Sequence, residues 1–166
     1  MGDKRGYCNW VVPGKVMLGR YPGGTPVGTK TGSPSPEDTA AHMQTLMAAG
    51  VNTFLCLQAE VPAQDDDAAW PADLIVPLAD PAMREKYPGG FVRYKGAAEK
   101  ASSEASGGAD KHPLEFKYFP IPDFSTPREG DLRSLLGGLA EKIEHEGMVL
   151  YVHCWGGRGR AGTIGA

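Results

Sequence analysis

Cysteine is scarce and odd in number: three in 166 residues, at positions 8, 56 and 154. That count does not make a disulfide framework, and a reducing compartment is the simpler setting. No apolar run reaches the length of a secretion signal or a membrane span. Met1-Gly2 does not complete a myristoylation motif either, because position 6 is Gly6 rather than Ser or Thr. A soluble intracellular protein is expected, with the organelle open. Neither sign of charge dominates: 17 basic and 20 acidic residues leave a net charge of -3. The basic footprint of a nucleic-acid or anionic-membrane binder is therefore missing. His42, His112 and His145 are scattered, and no ligand spacing for a metal occurs. There is no internal repeat. Glycine (23) and proline (14) are plentiful instead, so loops take a large share of the chain.

Between the loops the pattern alternates. Asn9–Val12 and Lys15–Leu18, separated by Pro13-Gly14, predict two short strands joined by a turn. Residues 20–36 read as a loop. Ser35-Pro36-Glu37-Asp38 is a helix start, with Ser as cap, Pro in the first turn and acids at the positive end of the dipole. Met43, Leu46 and Met47 recur at helical spacing up to Gly50, the expected stop. Val51–Leu57 predicts a buried strand. Residues 59–112 carry the Asp65-Asp66-Asp67 charge run and a stretch, Lys95–Lys111, with no β-branched or aromatic residue. They predict a low-complexity surface excursion, with some helix at most.

Order is expected again from Leu114, as a strand to Ile121. A helix follows to about His145, capped from Thr126 and carrying Leu132, Leu135, Leu136, Leu139 and Ile143 on one face. Met148–His153 is wholly apolar up to its histidine and predicts a strand covered on both sides. The alternation implies one α/β domain over residues 1–166, a central, mostly parallel sheet flanked by helices.

The last strand runs into Cys154-Trp155-Gly156-Gly157-Arg158-Gly159-Arg160-Ala161-Gly162. A glycine-rich loop leading to a helix start aims successive backbone N–H groups at one point, which is how an anion is held. Arg160 can grip two oxygens of a phosphate at once. Peptide dipoles and a guanidinium at the loop mouth would favour the thiolate of Cys154, a nucleophile. A cysteine after an apolar strand is ordinarily a small buried hydrophobe. The combination with three glycines and an arginine has no packing rationale.

His153-Cys154, five residues and then Arg160 form the HC-x5-R signature of cysteine-dependent protein phosphatases. HCWGGRGRAGT, NWVVPGKVMLGRYPGG, VNTFLCLQAE and FPIPDFSTP resemble an atypical dual-specificity phosphatase-like group. The resemblance runs from about residue 9 to 166 and is poor over 59–112. Rhodanese-type sulfurtransferases and low-molecular-weight phosphatases fit less well. The resemblance implies a phosphatase fold and hydrolysis of a phosphomonoester, on a phosphorylated protein or another substrate, through a cysteinyl phosphate and without metal or cofactor. It implies Cys154 as nucleophile and Trp155, Gly156, Gly157, Arg158, Gly159 and Arg160 as the phosphate loop. The family's general acid stands some thirty residues upstream; Asp123, 31 residues before Cys154, matches it. Glu129 and Asp131 are weaker alternatives that suit a helix start. His153 is implied to orient the loop and lower the thiol pKa, a core histidine being the competing reading. Arg20 and Tyr21 are expected at the cleft border, and Cys8 and Cys56 are structural. Two departures stand out. Ala161 replaces the hydroxyl residue that helps the thiolate leave, and the family's C-terminal helices are not in the chain, as in a truncated domain. Both are compatible with the rival reading, a slow or non-catalytic phosphate-binding scaffold.

Overall fold

The structure, a computed structural model, describes residues 8–23, 36–107 and 113–166. Elements follow in the order β1 (Cys8–Val12), β2 (Val16–Arg20), α1 (Pro36–Ala48), β3 (Thr53–Gln58), β4 (Ile75–Val76), α2 (Pro81–Lys86), β5 (Phe91–Val92), α3 (Lys95–Ser106), β6 (Glu115–Ile121), α4 (Glu129–His145), β7 (Leu150–Cys154) and α5 (Gly159–Gly165). The central sheet runs β1-β2-β7-β3-β6. Within it β1 and β2 pair antiparallel, while β2–β7, β7–β3 and β3–β6 are parallel; β4 and β5 form a separate antiparallel pair. The expected α/β architecture, a mostly parallel sheet with helices against it, is the one observed. The expected helix start at Ser35 and most of the 20–36 loop lie outside the described residues.

Parallel strands put their C-terminal ends on one edge. Arg20 pairs with Cys154, His153 with Cys56, and Gln58 with Ile121. The chain therefore leaves β7, β3 and β6 side by side. At the opposite edge Asn52 clamps β3 to β7: its Oδ1 accepts from Val149 N at 3.0 Å and its Nδ2 donates to Gly147 O at 3.1 Å.

Alternation along the strands sorts the core into two. Phe54, Cys56 and Tyr151 face α1 and α3, among Met43, Leu46, Ala98 and Ala101. Leu55, Leu57, Leu150, Val152 and Cys154 face α4 and α5, with Leu139 and Ala161. Of the five apolar positions expected to bury on α4, only Leu139 does, at 5% exposure; Leu136 is 39% exposed. The cap also falls two residues later than expected. Arg128 occupies it without a side-chain bond, while Glu129 pairs with Arg133 and Asp131 with Arg128.

Residues 59–107 correct the expectation of a surface excursion. Trp70, Leu78, Tyr87, Phe91 and Tyr94 are all buried in the main core. Gln64 ties the segment in from within: its Oε1 accepts from Tyr94 N and Lys95 N, and its Nε2 donates to Tyr21 OH at 3.1 Å. The Ala-rich stretch that reads as low complexity is α3, whose Ala98 and Ala101 are small enough to lie directly on α1. A few well-spaced aromatics and one amide do what a continuous apolar run does elsewhere.

Candidate active site

Cys154 ends β7 with 3% exposure, and the chain turns at once into the glycine loop. Two features pin that loop to β2. Tyr21 N donates to Trp155 O at 3.1 Å. Gly157 adopts φ 72°, and a Cβ there would lie 2.5 Å from Gly19 C and 2.7 Å from Arg20 N. Backbone cannot give way as a side chain can, so only glycine fits this crossing. Gly159 then opens α5, which carries Arg160 back under the loop.

Arg160 is 6% exposed, and its guanidinium is held from two other strand ends. Nη1 donates to Glu60 Oε2 at 2.6 Å and to Ile121 O at 2.9 Å. Asp123 Oδ1 lies 3.6 Å from Nη2, an ion pair beyond hydrogen-bond length. Burial is the largest influence on this group and acts to discharge it; the bond and charge of Glu60, then Asp123 and Cys154, more than offset it and the pKa rises. The anchored Nη1 corner leaves the Nε–Nη2 edge for another ligand. Asp123 follows β6 by two residues, with its side chain half exposed. Next to it Phe124 has φ 57° and is fully exposed.

The sheet edge thus brings together Cys154, Arg160 and Asp123, with Trp155 lining a cavity that Asp123 also lines. Arg158 is exposed, at the start of α5. Glu129 and Asp131 sit in the first turn of α4, each on an arginine of that helix or its cap. Tyr21 is a core residue, 1% exposed, donating to Val92 O at 3.1 Å, and not a cleft residue. Arg20 sits 3.8 Å from Asp38.

His153 departs from the implied role. It is one residue from Cys154 on an alternating strand, so its ring enters the opposite core. There Nε2 shares a 2.7 Å bond with Tyr94 OH. Burial, then the nearby His42, lowers its pKa to about 3. A neutral ring bonded to Tyr94 supplies no positive charge to the thiol. His42 is likewise buried, 3.1 Å from Tyr151 OH, with a pKa lowered to about 3. Burial pushes the Cys56 thiol up to about 12, which suits the structural role expected of it. Cys8 is buried in β1. His145 lies near Glu144 at the surface, and His112 is outside the described residues. Among the described residues no three acidic, His or Cys side chains converge as a metal site, and no helix is long and apolar enough to cross a membrane.

Glu60 is the residue that sequence reading missed. It stands two residues past β3. Two signals pointed to it: it ends the VNTFLCLQAE segment that carries the resemblance, and strand β3 ends on the same edge as the strands before Asp123 and Cys154.

Residues 100–166 match the family model described as "PTP-SAK: Swiss Army Knife protein, DSP-PTPase phosphatase domain". This part of the chain is dual-specificity-phosphatase-like. The phosphatase-like segment contains Asp123, Cys154 and Arg160, whereas Glu60 and the residues around Gln64 precede it. No curated protein matches the chain. Among solved structures, "Crystal structure of Tk-PTP in the active form" is similar at 19% identity and a TM-score of 0.47, covering 95% of this chain and 67% of that one.

Proposed function

We propose that the chain, as one domain, is a phosphomonoester hydrolase working through a cysteinyl phosphate. The observation that carries this reading is the convergence on Arg160: a buried guanidinium, fixed by Glu60 and Ile121 O, beside Asp123 and within electrostatic reach of Cys154. Phosphate oxygens would take the Nε–Nη2 edge and the amides of residues 155–160. In the first step Cys154 Sγ forms a bond to phosphorus as the ester P–O bond breaks, and the Asp123 carboxyl gives its proton to the leaving oxygen. In the second, water attacks phosphorus, the Asp123 carboxylate takes a proton from it, and the S–P bond breaks to return the thiolate. No step calls on a metal or cofactor. His153 would support the site indirectly, by holding β7 in place through Tyr94. The substrate is a phosphorylated protein or another phosphomonoester, and a free thiol nucleophile suits the reducing interior of a cell.

Turnover decides between this reading and a phosphate-binding scaffold. Wild type should hydrolyse phenyl phosphate. Cys154→Ser should fall to background while still binding inorganic phosphate. Asp123→Asn should slow phenyl phosphate by roughly 10²–10⁴-fold, and slow far less an ester whose leaving group needs no proton. A Cys154→Ser rate near wild type removes the nucleophile assignment; an inactive wild type that binds phosphate leaves the scaffold.

A further inference from the structure

Beside the phosphate loop lies a cavity of about 480 Å³. That is within the range of small-molecule sites and far more than a phosphate needs. It shares Glu60, Asp123 and Trp155 with the site just described. Its other wall is built by the segment between β3 and α3, through Leu78, Met83 and Phe91. With phosphorus fixed at Cys154 and Arg160, this space falls to the alcohol part of the ester.

Most of the wall is apolar. The Trp155 ring is held edge-on by Tyr87, at 5.3 Å between centroids, and by Phe91, at 5.6 Å. Leu78 is 7% exposed. Flat aromatic walls take another ring by stacking or edge contact. The charges on the cavity all have one sign: Glu60, Asp80 and Asp123, with no lysine or arginine among the described lining residues. Glu60 and Asp123 are already paired with Arg160. Asp80 accepts from Met83 N at 3.0 Å as the cap of α2, and no ion pair neutralises it among the described residues.

We infer that the site selects a phosphomonoester bearing a single phosphate on a bulky, ring-containing apolar alcohol, and that Met83 and Asp80 set that preference. The inference rests on the phosphatase reading for its substrate. A second phosphate in this cavity would meet a carboxylate and no cation. Polyphosphorylated alcohols such as inositol bisphosphates are therefore poor substrates, and an aromatic ester larger than phenyl is a good one.

The test compares phenyl phosphate, 2-naphthyl phosphate and an inositol bisphosphate. The two aryl leaving groups are similar in acidity, so their ratio reports the cavity. kcat/KM should favour naphthyl over phenyl by about tenfold, the worth of small apolar additions in a fitted pocket, with the bisphosphate lowest. Met83→Ala should bring the naphthyl-to-phenyl ratio to within about threefold of unity. Asp80→Asn keeps a helix-capping side chain and should raise the rate on the bisphosphate severalfold. Calorimetry with naphthyl- and phenylphosphonate reads the same preference without turnover. A ratio near one in rates and in phosphonate binding overturns the inference. So does a ratio that Met83→Ala leaves unchanged, or a bisphosphate hydrolysed as well as the aryl esters. If no ester turns over but the phosphonates bind with the tenfold preference and Met83→Ala removes it, the phosphatase reading fails and the cavity's selectivity stands.

Discussion

The two faces of the central sheet differ in kind. One is aromatic and polar: Phe54, Tyr151, His153, Tyr94 and Tyr21 pack ring against ring and share buried hydrogen bonds. The other is aliphatic and thinly covered. Among its α4 residues only Leu139 is buried, and a cavity of about 270 Å³ remains between Val11, Val12, Leu18, Leu136 and Ile143. Two neighbours on β7 divide between them. His153 belongs to the rigid face and Cys154 to the open one. The strand that carries Cys154, the proposed nucleophile, is thus held from the side away from the proposed chemistry.

Truncation should break that comparison most. Phe54 is fully buried, stacked on Phe116 at 5.4 Å and edge-on to Tyr151 at 6.0 Å. Phe54→Ala should cost about 3–5 kcal/mol, since rigid rings cannot collapse into the space. Leu139→Ala, beside an existing cavity, should fall near the low end of the range, about 2 kcal/mol. Urea midpoints measure both. Equal losses would mean that the aliphatic face is as tightly filled as the aromatic one.

Acid sharpens the contrast, because both buried histidines lie on the aromatic face. Burial, then Arg20 for His42 and His42 for His153, lowers each to about 3 in the folded state, against about 6.5 unfolded. The unfolded chain binds these protons first. Their contribution to stability is intact above pH 6.5 and is lost as pH falls toward 3. At pH 5 each should cost about 2 kcal/mol. The urea midpoint should drop between pH 7 and pH 5, and His153→Gln should flatten about half of that slope while lowering stability at pH 7. A midpoint unchanged down to pH 5 would show that these rings reach water.

Where a pattern was dense, it was legible. The 3.6-residue spacing of Met43, Leu46 and Met47, the Pro13-Gly14 turn and the apolar Leu150–Val152 run each placed an element. The glycine loop could be placed because its pattern is local: strand, cysteine, tight turn and arginine lie within a dozen residues. What escaped depends on contacts far apart in sequence. Gln64 is one polar residue in an unpatterned stretch, yet it bonds to Tyr21 and Tyr94. Glu60 meets Arg160 across 100 residues. For His153 two readings stood side by side, a residue that orients the loop and a core histidine; its ring lies in the core because a strand sends neighbours to opposite faces.

The smallest expected effect lies on the aliphatic face, at Ala161. Its side chain is fully buried at the start of α5, packed in the same cluster as Val152 and Cys154. By the resemblance of the loop, a hydroxyl at this position assists the thiolate as the S–P bond breaks. With a methyl there, the second step should be the slower one. A rapid-quench time course should then show a burst of leaving group close to one per site before a slow steady state. Ala161→Ser should raise the steady rate a few-fold and shrink the burst. Its structural cost should stay within about 1 kcal/mol, since a serine in a first helical turn can reach a nearby loop carbonyl. No burst, with a serine variant no faster than wild type, would place the slow step before the intermediate. The open face would then owe nothing of its chemistry to that methyl.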